Sequence, residues 1–82
     1  MKNVELSRQA EKFLLQLDDK MRSRIIEGLQ GLREHPQRGD IKKMKGKNKV
    51  FRLRVGIFRA EFSNMPEYVY ISKIETRERS YR

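Results

Sequence analysis

The chain has 82 residues and a mass of 9.9 kDa, room for one hydrophobic core and no more. Twenty Lys and Arg against 11 acidic residues give +9 at pH 7 and a pI near 10.3, so the expected partner is a polyanion or an acidic protein. With no cysteine and one histidine, disulfides, thiolate zinc sites, cysteine nucleophiles and histidine metal clusters are excluded, and no metal or other cofactor is expected.

Residues 3–6, Asn-Val-Glu-Leu, alternate polar with apolar, as a brief strand does. Ser7 stands where a helix N-cap belongs, and Ala10, Phe13, Leu14 and Leu17 follow at spacings of three and four, one apolar stripe. Asp18 and Asp19 interrupt the stripe and can cap a second helix. On that helix Met21, Ile25, Leu29 and Leu32 share a face, with Arg22, Arg24 and Glu27 mostly opposite. Gly28 and Gly31 weaken this helix by up to about 1 kcal/mol each relative to Ala. Packing must therefore hold it, and the missing side chains allow a neighbour to approach closely.

The helix pair ends at the loop 35–40, where Pro36 disfavours helix at His35 and Gly39 permits a turn. A lysine-rich connection over residues 42–49 follows. Val50 to Val55 then alternate strictly: Val50, Arg52 and Arg54 on one face, Phe51, Leu53 and Val55 on the other. Gly56-Ile57 turns the chain into a second strand with Phe58, Ala60 and Phe62 inward and Arg59 and Glu61 outward. Residues 63–67 make the next turn and Tyr68 to Ile74 the next strand. The order β-α-α-β-β-β predicts one α+β domain over residues 1–82, its N-terminal helical hairpin packed on one face of a small antiparallel sheet.

Charge is concentrated in the middle of the chain. Residues 38–59 carry Arg38, Lys42, Lys43, Lys45, Lys47, Lys49, Arg52, Arg54 and Arg59 against Asp40 alone, a net +8. Apolar residues interleave with the cations, so this block is expected to be folded rather than a disordered basic tail. Three arginines on one open sheet face repel one another unless an anion sits between them. No apolar run approaches the roughly 20 residues of a membrane span, and residues 1–5 lack the apolar segment of a signal peptide, so the expected compartment is the cytoplasm.

Five pieces of the sequence together carry a family likeness: Ala10-Glu11-Lys12-Phe13, Leu32-Arg33-Glu34-His35-Pro36, Lys45-Gly46, the hairpin Phe51-Arg52-Leu53-Arg54-Val55-Gly56-Ile57-Phe58-Arg59, and Arg77-Glu78-Arg79-Ser80-Tyr81. In this order and at these spacings the chain resembles the RelE/ParE toxin superfamily over essentially its whole length, nearest to the RelE-type mRNA interferases. The resemblance implies a small twisted sheet with two helices on one face, ribosome-dependent cleavage of mRNA in the A site, and neutralisation by a cognate acidic antitoxin. It places the catalytic residues at Arg52, Arg54, Arg59, Arg77 and Tyr81. In RelE itself lysines stand where this chain has Arg52 and Arg54.

RNA cleavage without a metal proceeds by attack of a 2′-hydroxyl on its adjacent phosphate. Arginine forks match phosphate oxygens but do not deprotonate near neutrality, so Arg52, Arg54, Arg59 and Arg77 are expected to clamp phosphate and stabilise the transition state. Tyr81 is the candidate for proton transfer, its ordinary pKa of about 10 lowered by the guanidinium charge around it. Glu61 and Glu75 are alternatives if the fold brings them to that face, and His35 is not expected to act directly. Lys42, Lys43, Lys45, Lys47 and Lys49 are expected to bind rRNA backbone, or to dock the antitoxin. Tyr68 and Tyr70 are candidates for base stacking or for structural packing. Two other classes of function fit the same chain: a ParE-like inhibitor of DNA gyrase and a catalytically inactive basic module that binds RNA or protein.

Overall fold

The computed structural model describes residues 2–76, and the expected site residues Arg77 and Tyr81 lie outside the described residues. Strand β1 (Asn3–Leu6) leads into helix α1 (Arg8–Leu15) and helix α2 (Asp19–Gln30), which ends in a 3-10 turn, Gly31–Arg33. Four strands follow: β2 (Asp40–Lys43), β3 (Phe51–Val55), β4 (Phe58–Asn64) and β5 (Tyr68–Thr76). They form one five-stranded sheet in the order β1-β5-β4-β3-β2, with the helices on one face, as expected for an α+β chain.

Both helix starts are capped as the sequence indicates. The Ser7 hydroxyl accepts from Ala10 N at 3.1 Å and donates to the Ser72 carbonyl at 2.9 Å, tying the start of α1 to β5. Asp18 Oδ1 accepts from Met21 N at 2.8 Å. Arg22 fastens the corner between the helices, donating from Nε to the Leu14 carbonyl at 2.9 Å and from Nη2 to the Leu17 carbonyl. The Leu14 carbonyl, which also accepts from Leu17 N at 3.2 Å, and the Leu17 carbonyl just past α1 are thereby tied to the start of α2.

The inward residues form one core. Ala10 and Leu14 of α1, Ile25 and Leu29 of α2, and Leu32 meet Leu53, Phe58, Ala60, Phe62, Val69, Ile71 and Ile74 of the sheet. Phe13 meets Phe58 edge-on at 5.9 Å, and Phe51 stacks on Phe62 at 5.7 Å, geometries that aromatic quadrupoles favour. At Gly28, α2 comes so close to β3 that a Cβ there would lie 2.7 Å from Val55 Cγ2. The close approach expected of the helical glycines is realised at this position.

Two details differ from the expected order. Residues 40–43, where a loop and a lysine-rich connection are expected, form the edge strand β2, pairing antiparallel with β3 from Asp40↔Arg54 to Lys43↔Phe51. A charged edge strand with the single apolar residue Ile41 has no alternation to read; backbone pairing with β3 assembles it, with Ile41 packed against the core. The sheet is also mixed rather than wholly antiparallel: β1 runs parallel to β5, from Asn3↔Tyr68 to Leu6↔Ile71. The hairpin is as expected, with Val55 opposite Phe58 across Gly56-Ile57 and Gly56 at φ +59. Among the described residues no helix is long and apolar enough to cross a membrane.

Candidate functional site

Strand alternation turns Phe51, Leu53 and Val55 toward the helices and Arg52 and Arg54 to the open face. On β4 the same alternation buries Phe58, Ala60 and Phe62 and turns Arg59 and Glu61 outward. Register then aligns these residues into two rows across the sheet. One row is Asp40, Arg54, Arg59, Glu75; the other is Lys42, Arg52, Glu61, Lys73. The three arginines expected on one face are therefore together, with Arg54 directly opposite Arg59.

The face supplies its own counter-charges. Arg54 Nε lies 2.9 Å from Asp40 Oδ2, with both side chains nearly half exposed. Arg59 Nη2 lies 3.2 Å from Glu75 Oε2 in a pair with only 22% and 21% of the side chains exposed. Glu75 also meets Lys73 Nζ through Oε1 at 3.7 Å. Arg52 forms no ion pair among the described residues. Like charges directly opposite in a sheet destabilise it, and the carboxylates at the two ends of the first row offset the Arg54–Arg59 repulsion. The anion expected between the arginines is thus partly anticipated by the protein's own acids.

Lys42 and Lys43 sit on β2, and the turn from residue 44 to 49 carries Lys45, Lys47 and Lys49, all exposed. Gly46 at φ +75 and Lys49 at φ 63 shape this turn. Lys47 Nζ reaches Glu61 Oε1 at 3.4 Å, which draws the turn over the open face. Lys47 thus stands over the row of Arg52, while the other four lysines have no ion-pair partner among the described residues.

Tyr68 and Tyr70 alternate with buried Val69 and Ile71, so both rings belong to the open face, Tyr70 the more exposed. His35 is elsewhere: it lines a hollow with Pro36, Gln37 and Asn64 near the far end of β4 from Arg59. The structure brings together Arg52, Arg54, Arg59 and Lys47, and places Glu61 and Glu75 among them. Asp40 and Lys73 are members of the face that sequence reasoning missed. Asp40 carries no signal in a segment that reads as loop, and Lys73 is aligned by a register shift at Glu61/Phe62.

A second feature lies on the other side of β3. Between α2 and the β3–β4 turn runs an open groove floored by Gly28, Leu53, Val55 and Phe58, with Met21 and Ile57 along it and Arg24, Arg38 and Arg54 at its margin.

Comparison with known proteins decides the family. Over 85 residues the chain is 31% identical to "Putative toxin RelE1" of Methanocaldococcus jannaschii, a match covering 98% of this chain and 94% of that protein. This chain belongs to the RelE toxin family. Two solved structures resemble this RelE-family chain at 25% identity: an archaeal RelE–RelB complex from Pyrococcus horikoshii OT3, with a TM-score of 0.78 over 95% of this chain and 97% of that one, and a RelB–RelE antitoxin–toxin complex from Methanococcus jannaschii, with 0.73 over 94% of each. The toxin–antitoxin complex RelBE2 of Mycobacterium tuberculosis shares the fold, with a TM-score of 0.70 at 20% identity over 93% of this chain and 98% of that one. No family model matches the RelE-family sequence.

Proposed function

We propose that residues 1–82 act as a single toxin domain of a type II toxin–antitoxin pair, a ribosome-dependent endoribonuclease that cuts mRNA in the A site and so halts translation in the cytoplasm. The observation that carries this reading is the alignment of Arg52, Arg54 and Arg59 on one open sheet face beneath the lysine turn that Lys47 ties down through Glu61. In the proposed reaction the 2′-oxygen forms a bond to phosphorus as the bond from phosphorus to the 5′-oxygen breaks. The 2′-hydroxyl proton passes to a base, and the departing 5′-oxygen takes up a proton. Products are a 2′,3′-cyclic phosphate and a 5′-hydroxyl.

Arginines serve the charge in this reaction and not the protons. Their forks neutralise the non-bridging oxygens as negative charge builds on phosphorus, and they stay protonated throughout. Tyr81 is proposed as the proton acceptor and Arg77 as a further phosphate clamp. So sparse an acid–base set suits a site in which the ribosome orients the message, since orientation can supply roughly 7–11 kcal/mol of barrier lowering. Lys42, Lys43, Lys45, Lys47 and Lys49 are proposed to grip rRNA phosphates, which lysine does without reading bases.

The proposed partner in the resting state is a cognate acidic antitoxin covering the basic block of residues 38–59. Support comes from the net +8 of that block and from the two archaeal relatives, both solved as complexes of RelE with RelB.

The test is to map mRNA 5′ ends on purified ribosomes. Codon-phased cuts are expected from the wild type, with the rate lowered about a hundredfold by Arg59→Ala, the cost of removing one transition-state donor, and strongly by Tyr81→Phe. No phased cleavage would refute the reading. Inhibition of supercoiling by DNA gyrase in its place would establish the ParE-like alternative, and RNA binding without cleavage the inactive module.

A further inference from the structure

The proposed chemistry makes no use of the carboxylates embedded in the arginine face, and one of them stands in an unusual setting. Arg59 keeps 22% of its side chain exposed, and its Nε is buried with no hydrogen-bond acceptor among the described residues. Burying a donor unmatched is costly, and Arg54 opposite adds like-charge repulsion. What holds the guanidinium in place is the charge-assisted contact from Nη2 to Glu75 Oε2 at 3.2 Å, with Glu75 itself 21% exposed. Glu75 is steadied in turn by Lys73 on its other oxygen.

Resting on the RNA-cleaving reading of this face, we propose that Glu75 is a positioning residue: it fixes the guanidinium of Arg59 in one orientation, with Nε sealed and one Nη2 proton engaged, so that the remaining Nη protons are the donors left for a phosphodiester oxygen.

The Arg54–Asp40 pair is an internal comparison. Its distance is shorter, 2.9 Å, but its side chains are 48% and 43% exposed. Water competes for both groups there, and such pairs hold a side chain weakly. The less exposed pair is the one whose breaking leaves a guanidinium uncompensated. Glu75 is therefore expected to control the site more strongly than Asp40, although its contact is the longer of the two.

Two measurements test this. The first follows proton exchange at arginine Nε by nitrogen-15 NMR in the free protein. Arg59 is expected to exchange at least about tenfold more slowly than Arg54 in the wild type, because a sealed donor exchanges only when the structure opens locally, and to lose that protection in Glu75→Gln. Fast exchange in the wild type, or protection retained in the variant, overturns the proposal. The second compares single-turnover cleavage on ribosomes carrying a defined message. Glu75→Gln is expected to lower the maximal rate about tenfold, a difference of about 1.4 kcal/mol, with no rise in the protein concentration for half-maximal rate, since the face has lost a negative charge. Asp40→Asn is expected to cost less than about fivefold. An unchanged or faster rate in Glu75→Gln would mean that Glu75 only competes with phosphate, and a fall in rate matched by weaker binding would mean a general structural defect; either overturns the proposal. If the wild type does not cut, the nuclease reading fails by itself. The positioning role is then decided by exchange, together with the response of the Arg59 Nε signal to inorganic phosphate, which is expected in the wild type and lost in Glu75→Gln.

Discussion

Replacing Gly28 by Ala sets two effects of similar size against each other. Alanine is favoured over glycine in a helix interior by about 0.8–1.0 kcal/mol; Gly28 lies in the last turn of α2, which ends at Gln30, so helix propensity alone predicts a gain of at most that size. Against it, the new Cβ would lie 2.7 Å from Val55 Cγ2, where carbon atoms rest at about 3.5–4.0 Å. Leu53 Cδ2 at 3.7 Å and Val55 Cγ1 at 3.8 Å close in behind, so α2 cannot settle toward them. Overpacking of this kind costs about 1–3 kcal/mol. The cost falls at the low end if Val55 turns a methyl into the neighbouring groove, because an off-rotamer side chain costs about 0.5–1.5 kcal/mol. The net expectation is a loss of about 1 kcal/mol, or about 4–8 °C in Tm for a chain of this size. Urea denaturation of Gly28→Ala, Val55→Ala and the double variant gives the answer as a cycle. In the Val55→Ala background the obstacle is gone and Gly28→Ala should stabilise. A Gly28→Ala variant more stable than the wild type, with Val55 intact, would refute the claim that glycine is required for this approach of helix to sheet.

Other expectations follow from single contacts. Ser7→Ala removes both the cap bond to Ala10 N and the bond to the Ser72 carbonyl, and should cost about 1–2 kcal/mol in urea denaturation; wild-type stability would mean that α1 starts without its cap. Neutralising Lys45, Lys47 and Lys49 to Gln should reduce the salt dependence of ribosome binding, the slope of log K against log salt falling by about 0.7–0.9 for each lysine that contacts a phosphate. An unchanged slope would take the turn out of the rRNA interface.

Much of this fold is written in local pattern. The stripe of Ala10, Phe13 and Leu14, the caps at Ser7 and Asp18 and the alternation from Phe51 to Phe62 each depend on residues within a few positions of one another. Long-range pairing has no such trace. The bond from Ser7 to Ser72 and the parallel run of β1 beside β5 join opposite ends of the chain, and β2 offers only Ile41 to mark it. The site divides along the same line. Arg52, Arg54 and Arg59 are legible because alternation puts them on one face. Their partners Asp40 and Glu75 become legible only through register, which requires the whole sheet.

The retained acids bear on the choice between a binding module and a nuclease. A surface selected only to hold RNA binds more tightly with every acid removed, because each carboxylate repels phosphate. Here Glu61 and Glu75 lie in the midst of the cations with 13% and 21% of their side chains exposed. Affinity for rRNA can come from Lys45 and Lys49 of the turn, which have no ion-pair partner among the described residues and where point charges suffice. On the face itself, tighter binding of ground and transition states alike adds nothing to the chemical step. Orientation of a guanidinium toward the charge that builds on phosphorus does add to it. A carboxylate that sacrifices some attraction to hold an arginine in place, as Glu75 holds Arg59, therefore favours the reading in which this sheet acts on RNA over one in which it merely binds it.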